Sequence, residues 1–173
     1  MTFAELSKRL AEQKGVPLNG DPFLAYDPGM TTGWAHFDGG ELTDCGQLET
    51  QELQKSLVAL QAHLGKYPHT RVVVEDYRVY KWKTDDHAWS SLYTTQLIGM
   101  IETLCLMAAV DLIKQPAFVA KSFATDQLLK EWGYWIKGQR HARDAIRHGC
   151  YHIVFGGASC QERRDSRKPH NVG

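Results

Sequence analysis

Three consecutive valines, Val72, Val73 and Val74, set between Arg71 and Glu75, constrain this chain more than any other segment. A β-branched run without polar alternation has no solvent face, so it reads as a central strand covered on both sides. A sheet buried on both faces needs helices above and below it, which places the chain in the α/β class. With 173 residues, 43% of them hydrophobic, there is apolar material for one such domain and too little for two. The run ends in a carboxylate, Glu75. Ionised carboxylates are seldom buried without a partner or a metal, so Glu75 is either a strand end in solvent or part of a site.

The remaining elements fall around that strand. Thr2 and Glu5 form a capping box ahead of a helix that places Phe3, Leu6 and Leu10 on one face, and the stretch GVPLNGDP breaks it. FLAYD reads as a strand, PGMTTG as a turn, WAHF as a second strand, and the segment after Gly39 and Gly40 as a third, making an antiparallel meander. Leu53, Leu57, Leu60 and Leu64 predict a helix over 51–66. A longer helix over about 87–110 is apolar nearly all round, so it is either the central helix of a single domain or is covered partly by a second subunit. DLIK supplies a fifth strand, AFVAKSFATDQLLKEW another helix, and RHARDAIRHGCYHI a last one. The expected fold is a five-stranded mixed sheet, three antiparallel strands followed by two parallel ones, with helices on both faces. The domain spans 21–155, between an N-terminal helical extension over 1–20 and a polar basic tail over 156–173.

Lys and Arg number 20 and Asp and Glu number 20, a neutral total that hides an asymmetry. Residues 1–116 carry 10 basic and 15 acidic side chains, and 117–173 carry 10 basic and 5 acidic. An acidic part joined to a basic part fits an acidic site facing a polyanion, or ordinary surface charge that drifts along the chain. The longest apolar stretch is interrupted by Glu102, Thr103 and Asp111, and the N-terminus is charged, so neither a membrane span nor a secretory signal is expected. Cys45, Cys105, Cys150 and Cys160 lie far apart, which indicates no disulfide framework and makes the cytoplasm the default location. His148, Cys150, His152 and Cys160 match no closed zinc spacing.

Two further acids belong beside Glu75. Asp27 closes the first strand and opens Asp-Pro-Gly, a good turn sequence, but the following Thr-Thr-Gly offers small hydroxyls and a glycine that would let a ligand approach. On the last helix, His141, Asp144 and His148 share one face, Ala142, Ile146, Gly149 and Ile153 a second, and Arg140, Arg143 and Arg147 a third. The apolar face would dock on the sheet, leaving a metal-ligand face beside a phosphate-binding face. Several acids at one point suit two-metal phosphodiester hydrolysis, in which two Mg²⁺ ions about 3.5–4 Å apart stabilise the attacking and leaving oxygens. Mn²⁺ could substitute. His141 could bind Mn²⁺, orient a water or shuttle a proton.

With AYDPGMTTGWAHF, VVVED, TTQLIGMIETLCLMA and HARDAIRHGCYHI in this order, residues 22–155 resemble the RuvC-type Holliday junction resolvases of the RNase H-like fold, especially their bacteriophage-encoded branch. The resemblance implies that Asp27, Glu75, His141 and Asp144 form the metal-binding catalytic set. It also implies a homodimer, with the helix at about 87–110 as its interface, that binds a four-way DNA junction and nicks two strands symmetrically. Directly after Glu75 and Asp76 come Tyr77, Arg78, Val79, Tyr80, Lys81, Trp82 and Lys83, aromatics interleaved with bases. Such a segment can stack on exposed bases while its cations neutralise phosphates, which makes it the candidate junction-distorting loop. Lys121 and the break GYWIKGQR would add backbone contacts.

Other readings have less support. An actin- or sugar-kinase-like ATPase generally needs two copies of the fold. An RNase H-type or rRNA-processing nuclease, or an enzyme cutting forks or flaps, is the nearer alternative. A non-catalytic junction-binding scaffold would bind a polyanion more easily without its three acids.

Overall fold

The computed structural model describes residues 1–15, 17–18, 20–67, 69–77 and 88–156, the side chains of 88–91 excepted. The proposed loop positions Arg78, Tyr80, Lys81, Trp82 and Lys83, together with the tail over 157–173, lie outside the described residues.

The five strands are β1 (Phe23–Asp27), β2 (Thr31–Asp38), β3 (Glu41–Glu49), β4 (Arg71–Asp76) and β5 (Asp111–Pro116), in the order β3-β2-β1-β4-β5. β1 pairs antiparallel with β2, and β2 with β3, whereas β4 runs parallel to both β1 and β5. The mixed sheet expected from the sequence is therefore present, with the valine strand at its parallel centre. Val72, Val73 and Val74 are all fully buried. Alternation divides their burial between two cores. Leu24, Tyr26, Trp34, Val72 and Val74 face α2 (Leu53–Leu64) and α3 (Ala88–Met107), and Phe23, Ala25, Ala35, Phe37 and Val73 face α6 (Arg140–Phe155).

α1 (Phe3–Lys14) begins with the anticipated capping box and seats Phe3 against Trp132, with ring centroids 5.0 Å apart. α3 is apolar on paper but divided in space. Leu97, Ile98, Ile101, Leu104 and Cys105 are buried, and Leu92, Leu106 and Met107 are exposed. Among the described residues no helix is long and apolar enough to cross a membrane.

Two expectations need correction. The turn after β1 is shorter than PGMTTG, because Thr31, Thr32 and Gly33 already belong to β2. Thr32 Oγ1 lies 2.8 Å from Thr50 Oγ1, which donates to the Gly29 carbonyl at 2.6 Å. These hydroxyls tie the turn to the end of β3 instead of facing a ligand. The segment expected as one helix after β5 is two, α4 (Ala117–Phe123) and α5 (Asp126–Glu131). Thr125 caps the second through its hydroxyl, which accepts from Leu128 N–H at 3.3 Å. A good N-cap residue starts a new helix where apolar spacing alone would continue the old one.

His63 on α2 is enclosed by Trp34 and Tyr67, and its Nδ1 lies 2.7 Å from the Tyr26 hydroxyl. Burial, with Lys66 nearby, pushes its pKa down from 6.5 to about 4. The folded state thus holds a neutral ring that the unfolded chain would protonate. Its contribution is complete above pH 6.5 and is lost as pH falls toward 4. Thermal melts at stepped pH should show a falling midpoint across this window, with a shallower slope in His63→Gln.

Candidate active site

Strand parity decides which residues meet. Odd-numbered positions of β1, β2 and β4 point to the α6 side, so Asp27, Gly33 and Glu75 share that face with Ala25, Ala35 and Val73. Parallel pairing of β1 with β4, the two inner strands, then puts their C-terminal ends, and with them both carboxylates, at the same end of the sheet. Asp27 and Glu75 are nearly buried, at 7% and 9% exposure.

α6 closes over this end because Gly33 lets it. A Cβ at position 33 would overlap the backbone carbonyl of His141, so the first turn of α6 rests directly on β2. The glycine read as space for a ligand is instead filled by the helix. Gln47 on β3 holds the same turn from another side, its Oε1 accepting from His141 N–H at 3.2 Å. A second close fit, Gly149 against the Phe37 ring, seats the middle of the helix.

The docked helix contributes one group to each acid. His141 Nδ1 lies 2.7 Å from Asp27 Oδ2. Asp144, 5% exposed, pairs with Arg147 one turn on. His148 Nε2 lies 3.2 Å from Glu75 Oε2. Lys121 on α4 reaches between two carboxylates, with Nζ 3.5 Å from Asp144 Oδ2 and 3.9 Å from Glu75 Oε2.

Proton affinities follow from this crowding. Burial raises Asp27 to a pKa of about 6, a shift that the charges of Glu75 and Asp144 reinforce and the His141 hydrogen bond opposes. His141 is raised in turn, chiefly by its bond to Asp27. Glu75 moves down: burial acts to raise it but is outweighed by the His148 hydrogen bond and the Lys121 charge. Three acids are thus close enough to repel, and each is compensated by a basic side chain. Hard carboxylate oxygens gathered where positive charge is demanded fit a divalent cation in donor chemistry. Among the described residues, no three or more His, Cys, Asp or Glu side chains are already arranged to hold a metal ion, so the acids would have to turn from their present partners to do so.

Asp27, Glu75, His141 and Asp144 therefore come together, as does Lys121. Of the expected phosphate face, Arg140 is exposed at the mouth of a cleft of about 400 Å³ lined also by Lys121, Thr125, Asp126, Arg143, Asp144 and Arg147. Arg143 lies over the Trp135 ring, 4.1 Å from its centroid, and donates to the Ile136 carbonyl at 2.6 Å. Arg147 departs from the expectation. Its guanidinium is buried, pairs with Asp144 and Asp126, and donates through Nε to the Ala124 carbonyl at 2.9 Å. That carbonyl is free because the helix breaks between α4 and α5, so Arg147 braces Asp144 instead of facing a phosphate. Tyr77 packs against the core on the α3 side. Gln115 and Asp126 were not singled out from the sequence, because their roles depend on strand register and on the α4–α5 break.

No protein-family model and no curated protein sequence matches the chain. Solved structures do. The Thermus thermophilus RuvC in complex with its Holliday junction substrate superposes with a TM-score of 0.64 at 14% identity, over 79% of this chain and 94% of that one. A second T. thermophilus RuvC structure gives 0.58 at 16% identity, over 80% and 96%. The fold is RuvC-like, of the RNase H type. The yeast mitochondrial Holliday junction resolvase Ydc2 shares it, with a TM-score of 0.55 at 13% identity, over 94% of this chain and 89% of that one.

Two pairs of substitutions separate support from exposure around this site. Arg147→Met leaves the buried Asp144 with only the part-exposed Lys121 and should cost about 3 kcal/mol in denaturant unfolding, whereas Arg140→Ala should stay within about 0.5 kcal/mol. Gly33→Ala should lower the thermal midpoint by roughly 5–10 °C through the clash with α6, and Gly20→Ala, whose Cβ meets nothing, by under about 2 °C.

Proposed function

We propose that this chain is a metal-dependent endonuclease that resolves four-way DNA junctions by paired nicks. The observation that carries the reading is the convergence of Asp27, Glu75 and Asp144, with His141, at one end of a RuvC-like sheet. The solved neighbours are junction resolvases by name, one of them bound to a Holliday junction. The basic rim beside Asp144 supplies what a phosphodiester backbone requires.

Asp27, Glu75, Asp144 and His141 would hold one or two Mg²⁺ ions, with Mn²⁺ as a substitute. When bound, these ions supply an activated water and neutralise charge on the phosphate. The side chains themselves do the rest. His141 must give up its bond to Asp27 or share it, which frees a carboxylate oxygen and leaves a ring able to hold a proton. Lys121, part exposed in the cleft, could serve a phosphate as well as the acids. Arg140 at the cleft mouth would hold the backbone beside the scissile bond.

Paired nicking needs two sites in one particle, which a twofold-symmetric dimer provides. Leu92, Leu106 and Met107, exposed at 55%, 81% and 75%, support α3 as the dimer face. The aromatic and basic residues at Tyr80, Trp82, Arg78, Lys81 and Lys83 are the proposed junction contacts, with Tyr77 at their inner end.

The test is cleavage of a mobile four-way junction, a fork, a flap, a linear duplex and an RNA/DNA hybrid in Mg²⁺, Mn²⁺ or EDTA. Paired nicks in the junction should require metal and fall at least 10³-fold in Asp27→Asn, Glu75→Gln and Asp144→Asn, with junction binding retained. Cleavage of the hybrid alone would replace this reading with an RNase H-type activity, and binding without any cleavage would favour a scaffold. Sedimentation should show a dimer that Leu106→Glu dissociates, with single nicks replacing paired ones.

A further inference from the structure

Glu75 and Gln115 are registered partners on the parallel strands β4 and β5, so their side chains leave the sheet side by side toward α6. His148 comes down between them and is fully buried. Its Nε2 lies 3.2 Å from Glu75 Oε2 and its Nδ1 3.0 Å from the Gln115 side-chain amide. A carboxylate can only accept here, so Nε2 carries the hydrogen and donates. The amide can present either its oxygen or its NH₂ to Nδ1, because its orientation follows the network around it. Whichever it presents, the ring is gripped at both nitrogens.

We infer that His148, held by Gln115, is a positioning residue that aims the Glu75 carboxylate at a divalent cation. Two of the basic partners around the acids are accessible to solvent. His141 is part exposed at Asp27, and Lys121 sits on a solvent-facing side chain. His148 has no such freedom: it is enclosed, and moving it would uncouple Glu75, Gln115 and α6 together. The donor fixes one oxygen of Glu75 while the carboxylate stays within hydrogen-bond reach of Asp27, the ligand proposed to share the cation. Outer hydrogen-bond partners of metal-ligating carboxylates typically change metal affinity about 10–100-fold when removed. Position 148 falls on the helical face of His141 and Asp144, so one face of α6 supplies both proposed ligands and the brace for a third.

This inference rests on the reading of Glu75 as a metal ligand, and the experiment separates the two. Mn²⁺ alone is titrated into the full-length chain by calorimetry, with DNA binding in EDTA and thermal melts as companions. His148→Leu should weaken Mn²⁺ binding at least about 10-fold while junction binding in EDTA is unchanged, and His148→Gln, which keeps an amide donor near the Nε2 position, should recover most of it. Gln115→Leu, which removes the hydrogen bond to His148 and leaves Glu75 and His148 in place, should weaken Mn²⁺ binding in the same direction by freeing the ring. If His148→Leu does not fold, His148→Gln and Gln115→Leu decide alone: near-native Mn²⁺ affinity in the first with a loss in the second supports positioning. A folded His148→Leu or Gln115→Leu with native affinity overturns it, as does His148→Gln no better than His148→Leu. Glu75→Gln is the separating arm. Unchanged Mn²⁺ affinity there removes the metal reading, whereas its loss beside a native-like His148→Leu removes only the role given to His148.

Discussion

The molecule is organised around the absence of one side chain. Because Gly33 has no Cβ, the first turn of α6 lies on the backbone of β2, and the helix is set low enough over the end of the sheet for its polar face to reach Asp27 and Glu75. A methyl group there would raise the N-terminal end of the helix and separate His141 from Asp27. The docking energy comes from the apolar face that Ala145, Ile146, Cys150 and Ile153 present to Phe23, Ala25, Ala35, Phe37 and Val73. Packing therefore sets the height of the helix, and that height sets the geometry of the candidate site.

Most of the scaffold was legible in order and direction. The valine run marked the central strand, Asp27 and Glu75 were recognisable as carboxylates at strand ends, and the spacing of His141, Asp144 and His148 put them on one helical face. Three features were hidden for physical reasons. The hydroxyls of Thr32 and Thr50 could serve a ligand or the backbone, and only the register of β2 on β3 shows that they close the turn. The break after Ala124 depends on a cap that competes with continued apolar periodicity, and it decides that Arg147 turns inward. Gln115 acquires significance only from standing opposite Glu75, a relation between strands forty residues apart.

The acidic site is also an electrostatic compromise within the folded chain. Three carboxylates at a buried end of the sheet would each suppress the ionisation of the others, and the raised pKa of Asp27 records part of that cost. Arg147, Lys121, His141 and His148 offset it with groups of different mobility. The enclosed ones, Arg147 and His148, shape the site permanently, while the accessible ones, Lys121 and His141, can be displaced by a stronger cation. A neutral chain total is compatible with this arrangement because acid and base are matched within a few ångströms, not merely over the whole sequence.

The cluster is assembled from chain segments widely separated in order: Asp27 and Glu75 come from the first half, and His141, Asp144 and His148 from a helix that follows every strand. During vectorial synthesis the sheet residues emerge first. Until the helix over Arg140–Phe155 is released and docks, the nascent polypeptide presents two acids without their closing face. Completion of the candidate site is thereby coupled to completion of the fold, and a truncated or half-made product carries no assembled acidic centre.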